Sequence, residues 1–305
     1  MSTTLHETFK IRKCMVVYYL FAFLVLPPAA IGFTHPTAFC CRGRLVRFSS
    51  SEDNDDDASS APMVVEATIV NPEVVRLKKE LFKIAESTNR GFKASSGERN
   101  RARQLIYDLA RFNPTLEPAS PYYNATPTDN YDGSPSLVGK WTLVYTDAPD
   151  IIGLDSPLPF ATTKLGRIGQ ECDPPLIKNV IEWKRPDWSN SLLFSGTDES
   201  RILQKVCTEG TASPDKPLIV TLKLVGIDVV APTSGGGGNA TSFGEAIQKD
   251  GLLAAWFQKN PLEWRGPVAA PFGQFEILYL DDRMRIIKTG QNYLAVNIRN
   301  EEDWF

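Results

Sequence analysis

The sequence predicts a mainly β (α+β) protein built on an antiparallel β-barrel, with a pair of helices ahead of it. Two observations carry the barrel. Short runs of alternating apolar and polar residues recur from Leu137 onward with turn chemistry between them, as in sandwiches and barrels rather than βαβ units. Runs rich in aromatic and β-branched residues, Leu137 to Thr146 and Phe275 to Ile286, stand at the two ends of this region, as in a sheet that closes on itself. A third observation gives the helices: apolar residues at helical spacing between 72 and 113.

Before the helices, residues 1–51 read as an address label, a signal plus transit peptide. Lys10, Arg12 and Lys13 precede the apolar run Met15 to Leu26, which Pro27-Pro28 ends. That run is too short to span a bilayer comfortably and fits a signal-peptide core. Ala30-Ile31-Gly32 offers small residues before Phe33, and Thr34 to Ser51 is basic, hydroxyl-rich and free of acids. Two signals in series resemble the bipartite leaders of algae with secondary plastids. A secretory signal with a linker, and an N-terminal membrane anchor, are the alternatives. The mature N-terminus is expected between about Phe33 and Ala61. Residues 52–71, opening on the acidic run Glu52 to Asp57, read as a solvated, disordered spacer.

Residues 72–136 read as the helical pair with its linker. Asn71-Pro72 is an N-cap with proline at the first helical position, and Val74, Leu77, Leu81, Ile84 and Ala85 follow helical spacing. Ser95 and Glu98 stand three apart, as in a capping box, ahead of the stripe Ala102, Leu105, Ile106, Leu109 and Phe112. Both stripes read as core-packing faces, and Arg99, Arg101 and Arg103 as a solvated one. Residues 114–136 have no period and read as a loop, with a sequon at Asn124-Ala125-Thr126.

Residues 137–305 read as the barrel. Candidate strands are 139–146, 164–172, 176–185, 191–197, 201–208, 217–227, 273–280, 283–288 and 292–299. On simple alternation Trp141, Leu143 and Tyr145 share a face, as do Phe275, Ile277 and Tyr279; Asn179, Ile181 and Trp183 oppose Lys178, Val180, Glu182 and Lys184. The interruption 228–270 carries a tetraglycine at Gly235 to Gly238, with no phosphate-loop Lys-Ser or Lys-Thr after it. Its apolar stretch Gly251 to Phe257 reads as a plug for one barrel end, with a lid or membrane-touching element as the alternative.

The composition excludes several chemistries. The chain has 305 residues and net charge −3, yet its first 50 residues are basic, so the body is acidic and carries no stripe for nucleic acid. Both histidines, His6 and His35, lie in the leader, so the body lacks the imidazole of nucleophilic triads and of His-rich zinc or iron sites. Cys172 and Cys207 have no CxxC spacing; they read as buried thiols, with a disulfide as the alternative. No catalytic residues, metal or cofactor are expected. Adjacent acids such as Asp281-Asp282 point to opposite faces of a strand and make no paired site.

The body resembles the plastid lipid-associated protein (PAP/fibrillin) family across roughly residues 72–302. The segments that carry the likeness are Asn89-Arg90-Gly91-Phe92-Lys93-Ala94-Ser95, Leu105-Ile106-Tyr107-Asp108-Leu109, Leu137 to Thr146, Ile168-Gly169-Gln170, Lys178-Asn179-Val180-Ile181 and Tyr279 to Ile286. The tetraglycine insertion and Tyr293-Leu294-Ala295-Val296 depart from the family pattern. The resemblance implies a lipocalin-like barrel, residence in the chloroplast at thylakoids or plastoglobules, and binding of prenylquinones, carotenoids or related lipids. The alternative is a scaffold with a filled barrel that coats lipid globules or docks an enzyme of prenyl-lipid metabolism. An enzyme working by Asp, Glu, Tyr or Lys acid–base chemistry is a third, weaker reading.

Trp141, Tyr145, Ile181 and Trp183 are candidates to line the pocket, with Phe275 and Tyr279 from the far strand. Filling a dry core is the alternative for each. Asn179, and Asp281 with Arg285, are candidate polar groups at a pocket or barrel end, with an ion pair between neighbouring strands as the alternative. The expected partners are a hydrophobic small molecule and a membrane surface met peripherally.

Overall fold

Helix α1, Pro72–Ser87, starts where Asn71 accepts a hydrogen bond from the Glu73 N–H, with Pro72 in a position that needs no donor. Helix α2, Ser96–Ala110, opens on the expected reciprocal box between Ser95 and Glu98. The computed structural model describes residues 71–123, 135–155, 163–184, 201–232, 243–265, 271–302 and 304–305. The leader, almost all of the acidic spacer, the sequon, the tetraglycine and candidate strand 191–197 lie outside the described residues.

The strands are β1 (Gly139–Thr146), β2 (Lys164–Asp173), β3 (Leu176–Lys184), β4 (Arg201–Thr211), β5 (Ile219–Val230), β6 (Leu262–Arg265), β7 (Pro271–Leu280), β8 (Met284–Thr289) and β9 (Leu294–Arg299). Eight of them close a ring in the order β1, β2, β3, β4, β5, β7, β8, β9 and back to β1, every pair antiparallel. This is the lipocalin-like barrel, and closure leaves it no open edge. A one-turn helix, α3 (Pro149–Ile152), follows β1. Between β5 and β7 come α4 (Phe243–Asp250), α5 (Leu252–Lys259) and β6. Strand β6 takes over from β7 along the same edge of β5.

Two hydrophobic clusters divide the structure. One joins Leu77, Leu81, Ala85, Ala102, Leu105, Ile106 and Leu109 of the helices to Tyr145, Tyr279, Met284, Ile286, Leu294 and Val296. The other gathers Trp141, Cys172, Ile177, Val220, Phe275, Ile277, Leu280 and Ile287 from six strands around the ring, and is the barrel interior. The helical pair therefore covers the outer wall of β7, β8, β9 and β1. Irregular register between Leu143 and Tyr145, and again between Ile277 and Tyr279, sends the two tyrosines to the opposite side from Trp141 and Phe275. Simple alternation places all of them together; one extra residue in each strand reverses the side-chain sense beyond it.

The helix stripes pack as expected, except that Phe112 is exposed. The arginines are not simply solvated. Arg101 pairs with Glu80 across the helices, and Arg103 pairs with buried Asp147 at 2.7 Å while donating to the Asn292 carbonyl. The Cys172 and Cys207 thiols are both free and buried. They sit on opposite sides of the wall, Cys172 in the interior cluster and Cys207 against Asp228 outside, so a disulfide between them is ruled out by geometry.

The helices meet the barrel through one turn. Asn89, Arg90 and Gly91 have φ of 49°, 62° and 90°, and the Arg90 carbonyl accepts from the Thr146 N–H at 3.0 Å. A Cβ on Gly91 would stand 2.1 Å from the Thr146 carbonyl oxygen. Gly91→Ala is therefore expected to cost roughly 2–4 kcal/mol, from left-handed strain and a backbone clash together. Gly97→Ala on α2, where a Cβ meets nothing within 4 Å, should be neutral or stabilise by up to about 1 kcal/mol. Urea denaturation of the two variants checks the contrast.

Candidate functional site

Register determines which side chains face into the barrel. Trp141 lies opposite Gln170, Gln170 opposite Asn179, and Asn179 opposite Val206; in the next layer Ile168, Ile181 and Gln204 align. On the closing strands Leu143, Asn297 and Arg285 align. All share the face of the interior cluster.

One end of the interior is dry. Trp141, Ile177, Ile277 and Leu280 have no accessible surface, and Cys172 almost none. The plug at this end comes from the linker. A 3₁₀ turn, Ser120–Tyr122, is tied on by Ala119 N–H to the Pro217 carbonyl and Ala212 N–H to the Tyr122 carbonyl. The Tyr122 ring reaches Ile177 and Gly210, where any Cβ would stand 2.9 Å from it. Gly251 caps α5 and Leu252 to Phe257 lie in it; that helix packs on α4 and touches β4 and β5. None of its described side chains joins the interior cluster.

Further along the interior, Asn179, Ile181 and Val206 face inward yet are only half-buried. An inward side chain that keeps accessible surface is not closely packed on that side. The polar groups beside these side chains are amides and one indole N–H. Gln170 Nε2 donates to Asn179 Oδ1 at 2.7 Å, and Trp183 Nε1 donates to Gln204 Oε1 at 3.2 Å. The inward-facing positions described carry no Asp or Glu.

Of the nine candidate residues, the structure brings Trp141, Asn179, Ile181, Trp183, Phe275 and Arg285 to the inner face. Tyr145, Tyr279 and Asp281 lie outside it. Tyr145 is buried under α2, where burial pushes its phenol up to about 12. Tyr279 donates to Asp281 at 2.7 Å, and burial with this carboxylate raises its phenol as well. Asp281 does not pair with Arg285. It pairs with Lys78 of α1 and accepts from the N–H groups of Arg283 and Met284, so it closes the β7–β8 turn and anchors a helix.

Arg285 sits inside, 1% exposed, with its guanidinium carbon 5.0 Å from the Trp141 ring centre. Arg299 covers the same ring at 4.3 Å and donates to the carbonyls of Asp282, Val138 and Ser136. The site adds Gln170, Gln204, Val206 and Asn297, which strand register rather than alternation within one strand assigns to the interior. Pairing of neighbouring strands could have found them once register was known. A shallow depression of about 210 Å³ on the outer wall, around Ile219, Glu276 and Lys288, is open and polar and no part of this interior.

A closed antiparallel barrel with amides on its inner face and a helical pair outside defines a lipocalin-like fold. The sequence pattern of the PAP_fibrillin family matches residues 75–297, and the chain belongs to that family. It is also similar to a probable plastid-lipid-associated protein 10, chloroplastic, of Arabidopsis thaliana, with 28% identity over 163 residues. That match covers 50% of this chain and 47% of the relative, so the chain spans about half the length of the protein it matches.

Two outer-wall carboxylates make acid stability testable. Burial pushes Asp281 upward but is outweighed by the Lys78, Tyr279 and Arg283 contacts, which leave it below its ordinary value. Glu182, fully buried, is likewise held low against burial by the Arg167 N–H and by Lys184, Arg167 and Arg201 around it. A folded-state pKa below the unfolded one stabilises above the unfolded value, about 4, and the gain is lost as pH falls through the folded value. Denaturation midpoints should therefore fall below about pH 4 in the wild type. Asp281→Asn should start lower by roughly 1–3 kcal/mol and fall less steeply, as urea titrations between neutral and acid pH would show.

Proposed function

We propose that the protein is a non-catalytic plastid protein that binds or stores hydrophobic small molecules inside its barrel. Prenylquinones, carotenoids and related lipids are the candidates, and thylakoids or plastoglobules the site. The observation that carries this reading is the half-buried state of Asn179, Ile181 and Val206 on the inner face of a closed barrel. Family membership and the chloroplast relative support the plastid and lipid parts of it. Removing several hundred Å² of apolar ligand surface from water, at roughly 25 cal/mol per Å², offers several kcal/mol before ordering costs, enough for micromolar binding.

Solvent extraction of the purified protein followed by mass spectrometry should recover one lipid class at fixed stoichiometry. Bulk membrane lipid without stoichiometry would count against a pocket. Two variants separate pocket from core. Val206→Phe fills the loosely packed side and should weaken ligand binding at least about tenfold, the loss of some 1.4 kcal/mol, with little change in melting temperature. Trp141→Ala, in the dry end, should cost roughly 3–5 kcal/mol of stability instead.

Peripheral membrane contact has its own support. Among the described residues, five of the ten exposed large apolar side chains (Phe243, Leu252, Trp256, Leu262 and Trp264) fall in the insertion between β5 and β7. That concentration supports a contact surface in the insertion. Exposed tryptophans suit the boundary between headgroups and acyl chains. Trp256→Ser with Trp264→Ser should markedly reduce co-flotation with galactolipid vesicles while leaving the melting temperature unchanged. Undiminished flotation would remove the insertion from the membrane reading, and the protein-docking alternative would then be tested by cross-linking.

A further inference from the structure

Among the described residues, Arg285 is a buried cation without a carboxylate partner. The groups that act on it are Cys172, Tyr122 and Arg299, none of them a carboxylate. Its Nη1 donates to Cys172 Sγ at 3.2 Å, and burial pushes that thiol up, so it stays neutral. The Trp141 ring beside it is already shared with Arg299. Its Nε has no hydrogen-bond partner among the described residues. Asn297, directly across on β9 and 4% exposed, has an equally unpartnered Nδ2. A buried guanidinium with an idle donor, next to an idle amide donor on the same inward face, is costly unless something accepts from both.

The acceptor that fits is an anion with oxygen atoms side by side. A guanidinium and an adjacent N–H match the two oxygens of a carboxylate, and arginine keeps its charge throughout the physiological range. The inner face leads away from this pair through Leu143, which lies opposite Asn297, to the half-buried Ile181 and Val206. We propose that the barrel takes a long-chain lipid with a single carboxylate head, the head held by Arg285 and Asn297 and the chain lying along Leu143, Ile181 and Val206. This rests on the pocket reading above and sharpens it: the preferred ligand is an acid rather than a neutral hydrocarbon.

The test compares palmitate, methyl palmitate and a neutral prenylquinone by calorimetric titration of the delipidated full chain. Palmitate should bind one to one and at least tenfold more tightly than its methyl ester, and Arg285→Gln should bring palmitate down to the ester's affinity. Asn297→Leu should weaken palmitate by severalfold. It gives a second reading if Arg285→Gln does not fold, and the wild-type comparison needs no variant at all. Equal affinity for acid and ester would overturn the head site while leaving the apolar pocket intact. A preference that survives both substitutions would remove Arg285 and Asn297 from it. Failure of all three compounds to bind would overturn the pocket reading itself.

Discussion

A one-residue irregularity in each of two strands organises this protein. Past Leu143 in β1 and past Ile277 in β7 the pairing slips, so Tyr145 and Tyr279 face outward while Trp141 and Phe275 face inward. The same strands thus supply an inner lining along one part of their length and a platform for helices along another. Without the slips, two bulky phenols would point into the barrel and the helices would lose two of their largest contacts. The enclosed space and the helical layer are solved together, by a backbone device rather than by composition.

Charge is partitioned by the same wall. Outside, carboxylates are met by cations: Glu182 by Arg167, Lys184 and Arg201, Asp147 by Arg103, Asp281 by Lys78. Several of these pairs join elements distant in sequence, α1 to β7 and α2 to the end of β1, so they fix orientation as much as they add stability. Inside, the charge is a guanidinium among amides, a thiol and an indole. An interior meant only to be filled would do better with hydrocarbon, since replacing buried polar groups by packed apolar ones is commonly neutral or stabilising. The polar interior is thus an investment that core packing alone does not explain.

Much of the fold was legible because it is local. The caps at Asn71 and Ser95, the helix stripes and the alternation of β3 each depend on residues a few positions apart, and the structure reproduces them. Non-local features were not legible. Trp-Thr-Leu-Val-Tyr reads as unbroken alternation, and nothing in those five residues signals the slip that turns Tyr145 outward. Asp281 and Arg285 looked like partners because they stand close in sequence, but they face opposite sides of the wall: Asp281 meets Lys78 outside, and Arg285 meets Cys172 and Trp141 inside. The Tyr122 plug was hidden in a stretch without period, since a 3₁₀ turn has too few residues to show one. Strand β6 is four residues, all exposed, and so carries no burial pattern to read.

Closure between the first and last strands has a kinetic side. Most pairings in the ring join neighbours in sequence, and such hairpins form on their own short timescales. The β1–β9 seam is different: Thr142 and Asn300, which meet there, are 158 residues apart. Joining distant segments carries the largest loop-closure entropy and is slow in barrels generally. Until that seam forms, the face that bears Trp141 and Arg285 stays wet, since one residue lies on each side of it. Dehydration of the guanidinium therefore falls at the final step, where it raises the barrier to closing and leaves the earlier hairpins untouched.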